Sequence, residues 1–178
     1  NYHMSSTKIL KIVIPVVLVF MLLQTFGWLY REVVRPIRIY GQTMMPSFKD
    51  GAFYTTKVFK LGETQIARGT VVTHVVPKQA DLTFVKRVIG LPGETVRIQD
   101  GSVFIDNEKL DEIGYLQAGS TTTGGTFLKE NESMQVPDGH FFVLGDYREK
   151  SSDSRMYGFI AEKEIVGVVW FCYWNCGG

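Results

Sequence analysis

The stretch Phe84-Val85-Lys86-Arg87-Val88-Ile89-Gly90-Leu91-Pro92-Gly93-Glu94 decides how this chain is read. Residues 84–89 are β-branched or aromatic apart from two cations, which predicts a strand; Gly90 and Pro92-Gly93 end it in a turn. Period-two alternation places Phe84, Lys86 and Val88 on one face and Val85, Arg87 and Ile89 on the other. Lys86 therefore has an apolar neighbour on each side along its own face. Burial there disfavours the charged amine and lowers its pKa from about 10.4, the condition for a lysine to act as a base near neutral pH. The alternative is a lysine on a wet face, its stem lying along apolar surface. The two ends of the chain bear on the choice.

The 178 residues give room for one medium domain and an appendage. A formal net charge of +1 offers no electrostatic case for nucleic acid as a partner. Residues 1–4 read as a tag or cloning remnant and stand outside the fold. Residues 9–30 are almost continuously apolar, interrupted by Lys11, Gln24 and Thr25, which predicts a transmembrane anchor. As a helix, Ile12 to Tyr30 reaches about 28 Å, near the hydrocarbon thickness of a bilayer. Pro15 falls in the first turn of that run, and Trp28 and Tyr30 close it as an interfacial belt. A cleavable signal peptide is the rival, opposed by the lack of a small-x-small site after the run. The count of basic residues by itself places the large domain inside, since Lys8 and Lys11 precede the anchor whereas Arg31, Arg35 and Arg38 follow it.

Beyond Pro36 the pattern turns to β. Strands are predicted at 37–40, 52–59, 71–76, 84–89, 95–98, 102–105, 140–144 and 165–174. Asp100-Gly101 signals a hairpin turn. Short strands at close spacing argue a mostly β domain over residues 36–178, while the Gly/Ser/Thr-rich residues 114–135 read as a flexible exposed loop. His74 and His140 have no second ligand at metal spacing, and no glycine loop for phosphate is present, so no metal and no cofactor is expected. Cys172 and Cys176 leave two readings open. A small disulfide loop is one; free thiols kept apart by an extended strand are the other.

Three separated segments remain. They are Gly41-Gln42-Thr43-Met44-Met45-Pro46-Ser47, the lysine strand with its turn, and Gly145-Asp146-Tyr147-Arg148-Glu149-Lys150-Ser151-Ser152-Asp153-Ser154-Arg155. In this order, behind an N-terminal anchor, they resemble the type I signal peptidase family, with its G-x-S-M-x-P-T, K-R-V-x-G-L-P-G-E/D and G-D-N-x-x-x-S-x-D-S-R motifs. The resemblance runs from the anchor to the last strand. It implies an antiparallel β domain with a small β insertion at about 95–138, held outside the cytoplasm by a single-pass anchor, as in the family's Gram-positive members. It also implies a hydroxyl–lysine dyad, Thr43 and Lys86, that cuts preproteins after a small-residue signal. Ser151 would orient the amine, Asp153 and Arg155 would brace the loop, and the Thr43 N–H with Gly41 shaping its turn would hold the oxyanion. Met44, Phe84 and Val85 would bind the extended preprotein, and the bilayer is the other expected partner.

Departures from the family pattern open a second reading. Threonine stands at the position of the nucleophilic serine, Ser47 at that of a threonine, Thr70 at that of an aspartate and Tyr147 at that of an asparagine. The methyl of Thr43 stiffens χ1 and crowds a pocket built for serine. The chain is then either a peptidase, slow or specialised, or a non-cleaving relative that helps to assemble surface proteins such as pili. A soluble self-cleaving repressor of the same fold is opposed by the anchor and by the absence of DNA-binding helices.

Overall fold

A hydrocarbon environment leaves backbone N–H and C=O groups no partner but each other, and a nearly continuous apolar run answers with a helix. In the computed structural model, which describes residues 6–58, 66–76 and 79–176, that run lies in α1 (Ser6–Val33). Its segment Leu10–Trp28 has a mean hydropathy of 2.1, and none of it is buried. The helix is long and apolar enough to cross a membrane. It starts earlier than the apolar run alone suggests, so Pro15 lies inside it rather than in its first turn. There it removes one intrahelical hydrogen bond. Residues 1–35 form one compact unit and residues 36–178 another.

The strands are β1 (Val34–Arg38), β2 (Phe53–Val58), β3 (Val71–Val76), β4 (Gln79–Gly90), β5 (Thr95–Gln99), β6 (Ser102–Ile105), β7 (Glu108–Lys109), β8 (Ser133–Gln135), β9 (His140–Leu144), β10 (Ile160–Ala161) and β11 (Ile165–Trp174), with a one-turn helix α2 (Ser154–Tyr157) before β10. Seven of them make a sheet in the order β1-β2-β11-β3-β4-β9-β10, and four make a second in the order β7-β6-β5-β8. The pairings of β4 with β3 and β9, and of β5 with β6 and β8, are antiparallel. β3, β6, β9 and β11 coincide with their predicted ranges. β4 begins earlier than predicted, and the end of the predicted strand 52–59 lies outside the described residues. β7, β8 and β10 are two or three residues long, too short to show alternation.

Both faces of β4 are buried, for different purposes. Ile89 joins Val96, Ile98, Val103, Leu128, Phe142 and Leu144 in a cluster shared by the two sheets. Val88, on the face of Lys86, packs with Val72, Val143 and Ile160. Each such side chain contributes roughly 1.5–3 kcal/mol by leaving water, and together they hold β4 as a rigid platform.

Two expectations are corrected here. Residues 114–135 are not a free loop: Leu128 is fully buried, the Phe127 N–H donates to the Arg155 carbonyl at 2.8 Å, and Thr122 is buried beneath Arg148. Polar composition hid this, because the segment's partners, the apolar cluster around Leu128 together with Arg148 and the Arg155 backbone, come from elsewhere in the chain. The cysteines are joined, with Cα atoms 5.8 Å apart. The strand does separate residues up to Trp174, but Asn175 at φ 54 turns the chain back and returns Cys176 to Cys172.

Candidate active site

Lys86 lies opposite Val72 of β3, and only 2% of its surface is exposed. Its amine is 3.1 Å from Thr43 Oγ1 and donates to the Val85 carbonyl at 3.1 Å. The ring of Phe84 is centred 5.0 Å from Nζ. Phe84 is itself held by the edge of His74 and by Tyr157, whose hydroxyl lies 3.3 Å from His74 Nε2. Burial pushes the lysine pKa from 10.5 down to about 8; Asp153 and Asp146 pull it upward, and Arg155 pushes it down further. Burial likewise takes His74 down to about 4, with Lys86 adding to the shift and the hydrogen bond to Val75 opposing it. His74 is therefore a neutral wall at working pH.

Thr43 reaches Lys86 because the chain reverses after β1. Gly41 takes φ +84, a conformation that other residues adopt at a cost, and its N–H donates to Asp50 Oδ1 at 2.9 Å. The Met45–Pro46 peptide bond is cis. The Thr43 carbonyl accepts from the Tyr147 N–H at 3.0 Å, which ties the first segment to the third. This junction needs Gly145: a Cβ there would sit 2.6 Å from the Thr43 carbonyl oxygen and 2.2 Å from Ser151 Oγ. The Thr43 N–H has no acceptor among the described residues and remains a free donor.

Asp153 and Arg155 form a buried pair with two contacts, Nε to Oδ1 at 2.8 Å and Nη2 to Oδ2 at 2.9 Å. Asp153 also caps α2 and accepts from the Gly145 N–H at 3.1 Å, while Arg155 holds the carbonyls of Arg148 and Thr123. Ser151 is adjacent but not engaged. Its Oγ is buried with no hydrogen-bond partner, so it does not hold the amine in this state. Ser154 points away from the lysine, accepting from the Val143 N–H at 2.9 Å.

A cavity of about 220 Å³ opens on the dyad, walled by Arg38, Ile39, Tyr40 and Thr43 on one side and by residues 83–86 on the other, with Ser152. Phe84 and Val85 are among its lining residues. Met44 is fully buried and is not among the lining residues. A larger cavity, about 570 Å³, lies by the loop after β7, but its one buried acid, Glu112, is already bound by Arg148 and Tyr115. Among the described residues no cluster of His, Cys, Asp and Glu is placed to hold a metal.

Two ion pairs that no sequence pattern indicates tie the motif segments down. Arg87, next to the lysine on the strand, grips Asp146 with contacts of 2.8 and 2.5 Å, and Tyr115 stacks on its guanidinium at 4.3 Å. Buried Arg148 pairs with Glu112 and Thr122. Arg87, Asp146 and Arg148 all stand in the quoted segments; no local feature names their partners.

The chain matches the family model described as signal peptidase, peptidase S26, over residues 6–174. Signal peptidase IB of Staphylococcus aureus (strain COL) is 34% identical over 177 residues, covering 94% of this chain and 90% of that protein. Signal peptidase I V of Bacillus subtilis (strain 168) is 36% identical over 138 residues, covering 74% and 81%. A signal peptidase I structure from Enterococcus faecalis V583 is 28% identical, with a TM-score of 0.49, and covers 60% of this chain and 98% of its own.

Proposed function

We propose that this chain, which belongs to the signal peptidase family, peptidase S26, removes signal peptides from preproteins on the outer membrane face, with Thr43 as nucleophile and Lys86 as base. The observation that carries the reading is the 3.1 Å contact between Thr43 Oγ1 and a lysine amine that burial holds near neutrality.

Neutral Lys86 takes the proton of Thr43 as Oγ1 attacks the scissile carbonyl carbon. The free Thr43 N–H donates to the oxyanion; Gly41 has no hydroxyl to add to it. Collapse breaks the C–N bond, Lys86 returns its proton to the leaving amine, and the signal peptide stays esterified to Thr43. Water, deprotonated by Lys86, then attacks the ester; collapse breaks the bond from the carbonyl carbon to Thr43 Oγ1, Lys86 returns the proton to Oγ1, and the freed signal-peptide acid loses its own proton to solvent and leaves as a carboxylate. Ser151 is the group available to take the amine's hydrogen bond while Oγ1 is committed to the ester, since its buried hydroxyl has no other partner. The brace of Asp153 and Arg155 keeps that serine in place.

Substrate adds to a strand edge. β9 pairs with β4 only from Arg87 onward, so residues 83–86 face the cavity with this edge unoccupied by β9. An extended preprotein can hydrogen-bond there, with small side chains next to Val85 and Phe84. The helix α1 would hold the site at the membrane surface where such substrates emerge.

The methyl of Thr43 favours a second reading, an assembly factor for surface proteins such as pili that keeps the groove without cutting. Crowding of that size costs about 1–3 kcal/mol, or roughly 5- to 150-fold in rate. Preprotein cleavage in detergent separates the two. Under the peptidase reading Thr43→Ser raises cleavage about 10-fold or more and Thr43→Ala eliminates it. If Thr43→Ser is inert while Thr43→Ala fully complements a strain lacking the gene, the chain is a binding protein.

A further inference from the structure

Resting on the peptide-slot reading above, we infer that Arg38 is a specificity-determining residue: the slot selects extended peptides that place an aspartate or glutamate beside it and rejects those that place a lysine or arginine there. Arg38 lines the same cavity as Thr43 and Lys86. Its guanidinium lies over the rings of Tyr40 at 5.0 Å and Phe53 at 5.4 Å. Arg38 is an exposed residue, and these ring contacts use none of its N–H donors. Among the described residues no carboxylate or carbonyl accepts from those donors.

The cavity around it has no compensating charge. Its lining contains no acid, and its other cation, Lys86, loses its charge as pH rises through about 8. The acids nearest the dyad are engaged elsewhere, Asp146 by Arg87 and Asp153 by Arg155. Asp50 serves the Gly41 N–H. A planar fork of unused donors matches a carboxylate, which it grips with two parallel hydrogen bonds. The same permanent charge repels a basic side chain.

The test uses full-length protein in detergent and a series of Ala-x-Ala signal-sequence peptides, with a single Asp or Lys walked through each position around the cleavage site. Binding is measured at about pH 9, above the Lys86 pKa of about 8, by fluorescence anisotropy to Thr43→Ala protein carrying Arg38, Arg38→Gln or Arg38→Glu. With Arg38 present, the Asp peptide binds about 5- to 10-fold more tightly than the Lys peptide at one position or a few adjacent ones. The ratio falls to near one with Arg38→Gln and inverts with Arg38→Glu. A ratio near one at every position with Arg38 present, a ratio indifferent to Arg38→Glu, or no peptide binding at all overturns the inference. Cleavage by the Thr43 and Thr43→Ser proteins is scored in parallel. A charge-selective slot in proteins that cut nothing would sink the peptidase reading and leave Arg38 standing.

Discussion

Lys86 and Arg87 are neighbours on one strand, both basic and both largely withdrawn from water, yet the two faces of β4 treat them oppositely. On one face Lys86 meets Val72, Val88, the ring of Phe84 and a hydroxyl, with no carboxylate in hydrogen-bond reach. On the other, Arg87 meets both oxygens of Asp146, the Gly69 carbonyl and the ring of Tyr115. The first environment makes a proton easy to remove; the second fixes a charge permanently. The side chains differ as well: an amine can give up its proton when desolvated, whereas a guanidinium keeps its charge and needs a partner. A lysine of lowered pKa and a paired arginine thus stand side by side.

The largest test of this contrast is Lys86→Met, which exchanges the amine for an apolar chain of similar length. Cleavage should fall by about 10³-fold or more, below detection, with the fold retained by circular dichroism. Thermal melts add the sign. The folded lysine pKa of about 8 lies below the unfolded 10.5, so between them the unfolded chain binds more protons and stability rises with pH. That rise, up to about 3 kcal/mol, should be missing from Lys86→Met. A variant that still cleaves would remove the dyad.

Arg87→Met strikes the other face. It leaves the Asp146 carboxylate buried and unpaired, and denaturant melts should show a loss of about 3–5 kcal/mol. A loss under 1 kcal/mol would mean the pair braces nothing.

Ser151→Ala separates stability from activity. Removing a buried hydroxyl without a partner should leave stability equal or up to about 1 kcal/mol higher. If that hydroxyl serves the amine during turnover, cleavage drops about 10- to 100-fold at the same time. Unchanged cleavage would confine Ser151 to packing against Gly145.

The smallest effect is continuous. Below about pH 8, kcat/KM should climb about tenfold per pH unit and then level as Lys86 becomes neutral. Burial is the main cause, so Val72→Ser, which admits a polar group opposite the lysine, should move the midpoint upward. A profile flat from pH 6 to 9 contradicts a lysine base.

What the sequence by itself determined is what neighbours along the chain decide. The apolar run around Leu10–Trp28, the alternation that set Lys86 between Phe84 and Val88, and the Asp100-Gly101 hairpin are local properties, and the helix and strands followed them. The family motifs extended this to Thr43 as the partner of Lys86, and the two do meet across 43 residues of chain. Tertiary structure alone decided the rest. Arg148 found Glu112 and Thr122, Arg87 found Asp146, the polar stretch 114–135 became a packed layer under Arg155, and one turn at Asn175 closed the cysteine pair. Charged partners attract at any sequence separation, and the pattern around each residue is the same whether its partner arrives or not. Only the folded sheets, by setting which segments face one another, choose among them.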